Sequence, residues 1–205
     1  DWKDSGQSHR VLVPQAQPPQ QAKLRKVPIS GKTQSDIVLG FLGPRRHDPD
    51  FQAVSLANSI LGVFGMYGRL GKNVRNKLGL AYYSFSRVDG SLGPGTWRMI
   101  AGVNPTNVEA AKEAMLHEAR RLISKKVRHS ELEDNKSYIL GSLPLQLETN
   151  EGVAHSIANI EMYDLGLDYL QLLPDQILGI TSEQILAAAS KHITPEQFVM
   201  AVSGP

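Results

Sequence analysis

One run of the chain combines donor side chains with a turn that can bring them together: Gly68-Arg69-Leu70-Gly71-Lys72-Asn73-Val74-Arg75-Asn76-Lys77-Leu78-Gly79-Leu80-Ala81-Tyr82-Tyr83-Ser84. It reads as a helix, a glycine turn and a strand. Leu70, Val74 and Leu78 recur every four residues as an apolar row, and Arg75 flanks that row. Beyond Gly79, alternation puts Tyr82 on one strand face with Ser84 and Ser86, the more polar face. Tyr83 falls on the apolar face with Phe85. Arg75 and Tyr82 thus stand on either side of one tight turn, a charged donor and a neutral one that can converge. Residue type alone favours the plainer reading, an exposed arginine and a half-buried tyrosine.

Other chemistries fail on spacing. Gly31-Lys32-Thr33 has Lys26 where a phosphate loop needs its first glycine. Gly71-Lys72-Asn73 has Met66 there, and Asn73 where a hydroxyl should meet magnesium. The six histidines are His9, His47, His117, His129, His155 and His192, and no two lie within ten residues of each other. Zinc helices need histidine pairs three or four apart, so a complete zinc site is not expected. After His117-Glu118, Arg121 stands where a second histidine would. His129-x-Glu131 lacks the cysteines of a deaminase. No Gly-x-Ser-x-Gly elbow occurs. The carboxylate pairs Glu131/Glu133, Asp48/Asp50 and Glu148/Glu151 have the spacing of helix starts and surface charges.

The elements that must carry the Arg/Tyr run come from a chain of 205 residues with 41% apolar and 20% charged residues and no cysteine. That is globular composition, long enough for one core without disulfides. No stretch of 18 apolar residues exists, so no membrane span is expected. The start at Asp1, without methionine, reads as a fragment or a processed product. Residues 1–35 carry six basic and two acidic residues, against 16 and 18 in the remainder. A basic tail on a near-neutral body argues against nucleic-acid binding, which needs a basic folded face. Residues 14–21, rich in proline and glutamine, read as linker. We divide the chain into a tail, 1–25, and a domain, 26–205.

Within the domain, 26–29 reads as a short edge strand and 35–43 as a buried strand. Asp50 can cap a helix over 50–61, and the Arg/Tyr run follows. Strands at 80–88 and 96–104 read as a hairpin. Thr106 with Glu109, Ser130 with Glu133, and Thr181 with Gln184 have capping-box spacing. They open helices over 106–124, 130–143 and 182–191, with Pro144 kinking or ending the second. Further helices cover 150–165 and 168–178, and 198–203 is a last strand. This order predicts an α+β fold, an antiparallel-type sheet with helices packed on one face.

The run closely resembles the second homologous domain of the pitrilysin/insulinase-type zinc peptidases, especially their mitochondrial-processing-peptidase-like branch. The family pattern Arg-x-x-x-x-Gly-Leu-x-Tyr is met by Arg75, Gly79, Leu80 and Tyr82. The likeness extends from Val27 to Pro205, through Gln34-Ser35, Asn58-Ser59-Ile60-Leu61-Gly62, Asn104-Pro105-Thr106-Asn107-Val108, Ser130-Glu131-Leu132 and Val202-Ser203-Gly204-Pro205.

The resemblance implies a metallopeptidase LuxS/processing-peptidase-like fold and one half of a two-domain zinc endopeptidase acting on peptides or unfolded segments. Zinc would sit on an inverted His-x-x-Glu-His helix of a homologous N-terminal half. Arg75 and Tyr82 would hold the peptide substrate. The segment 50–61 matches the family's metal helix by position but contains no histidine or glutamate, so this chain alone should neither bind zinc nor cleave. The 14–21 segment resembles the end of the linker joining the two halves. A half built to face a partner should self-associate, as a homodimer, when isolated. The same family also implies an alternative: a scaffold subunit that keeps the fold and has lost proteolysis.

Overall fold

The computed structural model describes residues 13–63 and 67–205. His9 and the other charges of 1–12, and Met66, lie outside the described residues. Five strands are present: β1 (Lys23–Pro28), β2 (Ser35–Gly43), β3 (Ala81–Asp89), β4 (Gly95–Val103) and β5 (Val199–Gly204). They form one sheet in the order β1-β5-β2-β4-β3. The β3/β4 hairpin is antiparallel as predicted, and β2 runs antiparallel to both β4 and β5. Only β1 departs, joining the outer edge parallel to β5. Residues 14–21 form neither helix nor strand, although Arg45 Nη2 donates to Gln15 Oε1 at 2.6 Å.

The helices are α1 (Phe51–Asn58), α2 (Val108–Ser124), α3 (His129–Gln146), α4 (Asn150–Met162), α5 (Tyr169–Leu178) and α6 (Ser182–His192). They cover one sheet face, as the sequence predicts. Alternation along β2 puts Ile37, Leu39 and Phe41 beneath them, and β4 adds Trp97, Met99 and Ala101. The helices contribute Leu56, Met115, Leu122 and Ile185 to the same core. Asp36, Val38, Gly40 and Leu42 point to the uncovered face and are half-buried.

Three helix starts differ from expectation. Asn104, not Thr106, caps the entry to α2: its Oδ1 accepts from the Thr106 amide and hydroxyl, and a short 3-10 turn intervenes. Arg128 opens α3 without a side-chain cap. Asp50 precedes α1 but makes no capping bond: Lys191 and His192 of α6 bond its Oδ2, and its Oδ1 is buried without a partner. The Thr181/Gln184 capping box forms in full. Helix α3 runs through Pro144 to Gln146.

Candidate functional site

Helix α1 does not end at Asn58 but widens into a π-type turn over Ser59–Val63. A second wide helical segment covers Gly71–Lys77. A Cβ on Gly62 would lie 2.5 Å from the Ser86 backbone nitrogen, and one on Gly68 would lie 2.9 Å from the Gly62 Cα. Gly62 lets helical backbone approach the sheet directly, and Gly68 lets the returning chain pack on Gly62. Opposite Gly62 stands the small residue Ser86, whose hydroxyl donates to the Asn58 carbonyl.

That contact reverses the expected faces of β3. Ser84 and Ser86 pair with Ala101 and Met99 and are buried beneath the helices. Tyr83 and Phe85 lie on the uncovered face. The register slips between Ala81 and Tyr83, leaving Tyr82 as the extra residue of a bulge. The bulge takes Tyr82 off the serine face and turns it outward, 77% exposed.

The Gly71–Lys77 segment is held by polar ties. Arg69 donates a two-pronged pair of bonds to Glu131 of α3, both 2.8 Å. Asn73 donates to Glu118 of α2 at 2.9 Å, and Arg121 bonds the same carboxylate. Burial alone would raise the Glu131 carboxyl, but the Arg69 fork, with Arg121 behind it, outweighs burial and holds it below the usual range. Leu70 and Val74 are fully buried, as their spacing predicts. Leu78 is 47% exposed instead. The chain has already turned there: the Leu80 amide bonds back to the Val74 carbonyl, and Leu80 packs on the core.

Gly79 makes the turn, with φ +62°. A Cβ there would meet nothing within 4 Å, so the need for glycine lies in the dihedral and not in crowding. The turn delivers Arg75 to Tyr82: the guanidinium carbon stands 5.9 Å from the centre of the phenol ring. Both side chains are exposed, Tyr82 on β3, the strand that ends the sheet, and Arg75 on the helical segment before it. The two residues singled out from sequence are therefore brought together.

A neighbouring cluster carried no sequence signal. On the uncovered face the Tyr83 ring lies over Gly102, and its hydroxyl donates to Asp36 Oδ1 at 2.7 Å. Lys32 and Gln34 also donate to Asp36, and Lys32 reaches Ser203. The bonds from Lys32 and Tyr83 draw the Asp36 carboxyl down to about 2. Burial, then the bonded Asp36, pushes the Tyr83 phenol up to about 12. Lys32, read from sequence only as part of a failed phosphate loop, meets Asp36 and Ser203 only through folding.

The residues of α1 do not fit a zinc ion. Its inward polar groups are neutral and already paired: Asn58 Oδ1 accepts from the Trp97 indole at 3.0 Å, and the Ser59 hydroxyl donates to Asn135 at 2.8 Å. Among the described residues no group of three or more His, Asp or Glu side chains could hold a metal. None of the described helices is long and apolar enough to cross a membrane.

The two-layer α+β domain matches proteins of one class. The peptidase M16 inactive-domain family model matches residues 1–139, and the chain belongs to that family. It is 30% identical over 135 residues to an uncharacterized zinc protease of Streptomyces coelicolor, a stretch that covers 65% of this chain and 29% of the relative. A peptidase M16 inactive domain from Pseudomonas fluorescens is 27% identical, with a TM-score of 0.87 over 95% of this chain and 46% of that one. A protease from Helicobacter pylori, 20% identical, shares the fold with a TM-score of 0.88 over 99% of this chain and 49% of that one. The chain thus spans under a third of the curated relative and about half of the two structural ones.

Proposed function

We propose that this chain is the substrate-gripping half of a zinc-dependent endopeptidase of the processing-peptidase-like branch, acting on peptides or unfolded segments. The observation that carries the reading is the Arg75–Tyr82 pair across Gly79. Zinc chemistry, in this reading, belongs to a homologous N-terminal half, and no bond-breaking step falls to the present residues.

The two donors have distinct tasks. The Tyr82 hydroxyl donates to a main-chain carbonyl oxygen of the bound peptide, or to the charge that develops there. Arg75 adds a charge-assisted bond to a second carbonyl. Stacking beside the ring restricts the guanidinium before substrate arrives, which lowers the ordering cost of binding. The connecting tail ends at residue 22 and not at 25 in this reading, because Lys23–Arg25 already pair with β5 as part of β1, and 23–205 serve as the gripping domain.

The surface for the other half is offered by the helical layer. Helix α4 has no buried residue and exposes Val153, Ile157 and Met162. An apolar face of that kind suits a partner subunit or, in the isolated chain, a second copy.

The test is reconstitution with a His-x-x-Glu-His half from the same source, followed by peptide cleavage. Activity that needs both halves and falls in Tyr82→Phe supports the reading. Cleavage by the present chain alone would overturn the division of labour. An assembled pair that holds together but never cleaves would establish the scaffold alternative.

A further inference from the structure

A cavity of about 730 Å³ opens between the Gly71–Lys77 segment, the end of α2 and the start of α3. Neither Arg75 nor Tyr82 lines it, so it is separate from the gripping pair. Its wall is strongly basic. Lys72 and Lys77 come from the wide helical segment, Lys125 from the end of α2 and Arg128 from the residue preceding α3. None of these four makes an ion pair or side-chain hydrogen bond among the described residues. Of the three carboxylates in the wall, Glu131 is neutralised by Arg69 and Glu118 by Arg121. Only Asp134 opposes the four free cations.

Two further features point to an anion. Arg69, 6% exposed, lines the cavity and has its Nη1 without any hydrogen-bond partner, while Glu131 occupies its Nε and Nη2. The 18-residue helix α3 begins at the cavity wall, where Arg128 and Ser130 both stand; Arg128 makes no side-chain capping bond, and the Glu131 carboxylate bonds the Arg128 backbone. Unbonded amides at a helix start attract negative charge, and a buried guanidinium nitrogen needs an acceptor oxygen. The four cations are exposed, so water screens their mutual repulsion, and together they give the cavity mouth a positive field that favours a negative ligand.

We propose that this cavity binds a small phosphorylated polyanion, one carrying several phosphate charges in a chain. Spread cations on both sides of the cavity suit a chain of oxyanions better than one compact ion. The arginines supply planar forks and the lysines point charges.

The probe is tripolyphosphate, titrated calorimetrically into the full chain, with orthophosphate and an octaglutamate peptide in parallel. The expected result is saturable one-to-one binding, at least about tenfold tighter than orthophosphate and weakening as salt rises. Lys72→Gln with Arg128→Gln should lose at least about tenfold in affinity. Lys23→Gln with Lys26→Gln, on exposed β1, should lose nothing. Circular dichroism checks the fold of each, and Lys125→Gln, with about a threefold loss, replaces the double variant if that fails to fold. Absent or non-saturable binding, equal loss in the β1 control, or no loss in the cavity variants would overturn the proposal. Tighter binding of octaglutamate than of tripolyphosphate would overturn the phosphate class.

Discussion

The guanidinium of Arg75 and the ring of Tyr82 lie 5.9 Å apart, on opposite sides of a turn whose only backbone demand is a positive φ at Gly79. Position, in this pair, is set by the anchors behind it: Arg69 on Glu131 and Asn73 on Glu118. In the assembled enzyme, Tyr82→Phe should lower kcat/KM by about 100-fold, the loss typical of one oxyanion donor. Arg75→Ala should raise KM more than it lowers kcat. The double variant should lose less than the product of the two, because each side chain orients the other. Steady-state peptide hydrolysis reads all three, and unchanged kinetics would remove both residues from the site.

Three glycines make predictions of differing sign. Gly79→Ala forces an alanine into the left-handed region and should cost about 1–2 kcal/mol. Gly62→Ala should cost more, because its Cβ meets the rigid β3 backbone. Gly141→Ala, within α3 and facing open space, should instead stabilise by about 0.5–1 kcal/mol. Urea unfolding of the three variants gives the order.

The Asp36–Tyr83 pair predicts opposite limbs of a pH–stability curve. The Asp36 carboxyl is held down near 2 in the folded chain, so its contribution is complete above about pH 4 and fades as pH falls toward 2. The Tyr83 phenol is raised to about 12, so its contribution is complete below about pH 10 and fades as pH rises toward 12. Asp36→Asn should flatten much of the acid limb and weaken the alkaline one only in part, because burial is the larger cause of the Tyr83 shift, whereas Tyr83→Phe should flatten the alkaline limb and leave most of the acid one. The acid limb should persist in part, because Asp50, Asp89 and Glu131 are also held low. Denaturation at stepped pH, with phenolate absorbance for Tyr83, measures this. An alkaline limb unchanged in Tyr83→Phe would refute it.

The exposed apolar residues of α4 predict self-association of the isolated chain. Light scattering should show a dimer at high concentration, and Ile157→Lys should return it to monomer. A monomer throughout would refute the expectation, and loss of the dimer on adding the zinc-bearing half would tie the two surfaces together.

Much of the architecture was legible in local pattern. The hairpin of the strands read at 80–88 and 96–104 and the Thr181/Gln184 box form as read because their partners lie close by in the chain, and the β-branched run at 35–43 forms a strand because its composition suits a buried one, although its partners β4 and β5 are distant in sequence. The Arg75/Tyr82 spacing was legible for the same reason: one glycine turn spans it. What sequence could not decide was every choice made by a distant partner. Asp50 could have capped α1, but α6, more than a hundred residues on, supplied a lysine and a histidine for it. The serines of β3 read as an outward polar face, yet Gly62 brought helical backbone so close that only small side chains fit beneath. The bulge that turns Tyr82 outward exists only in register with β4. The sequence by itself thus determined which donors stand beside which turn. The tertiary structure decided which way they face, because facing depends on packing between segments that know nothing of each other until the chain is folded.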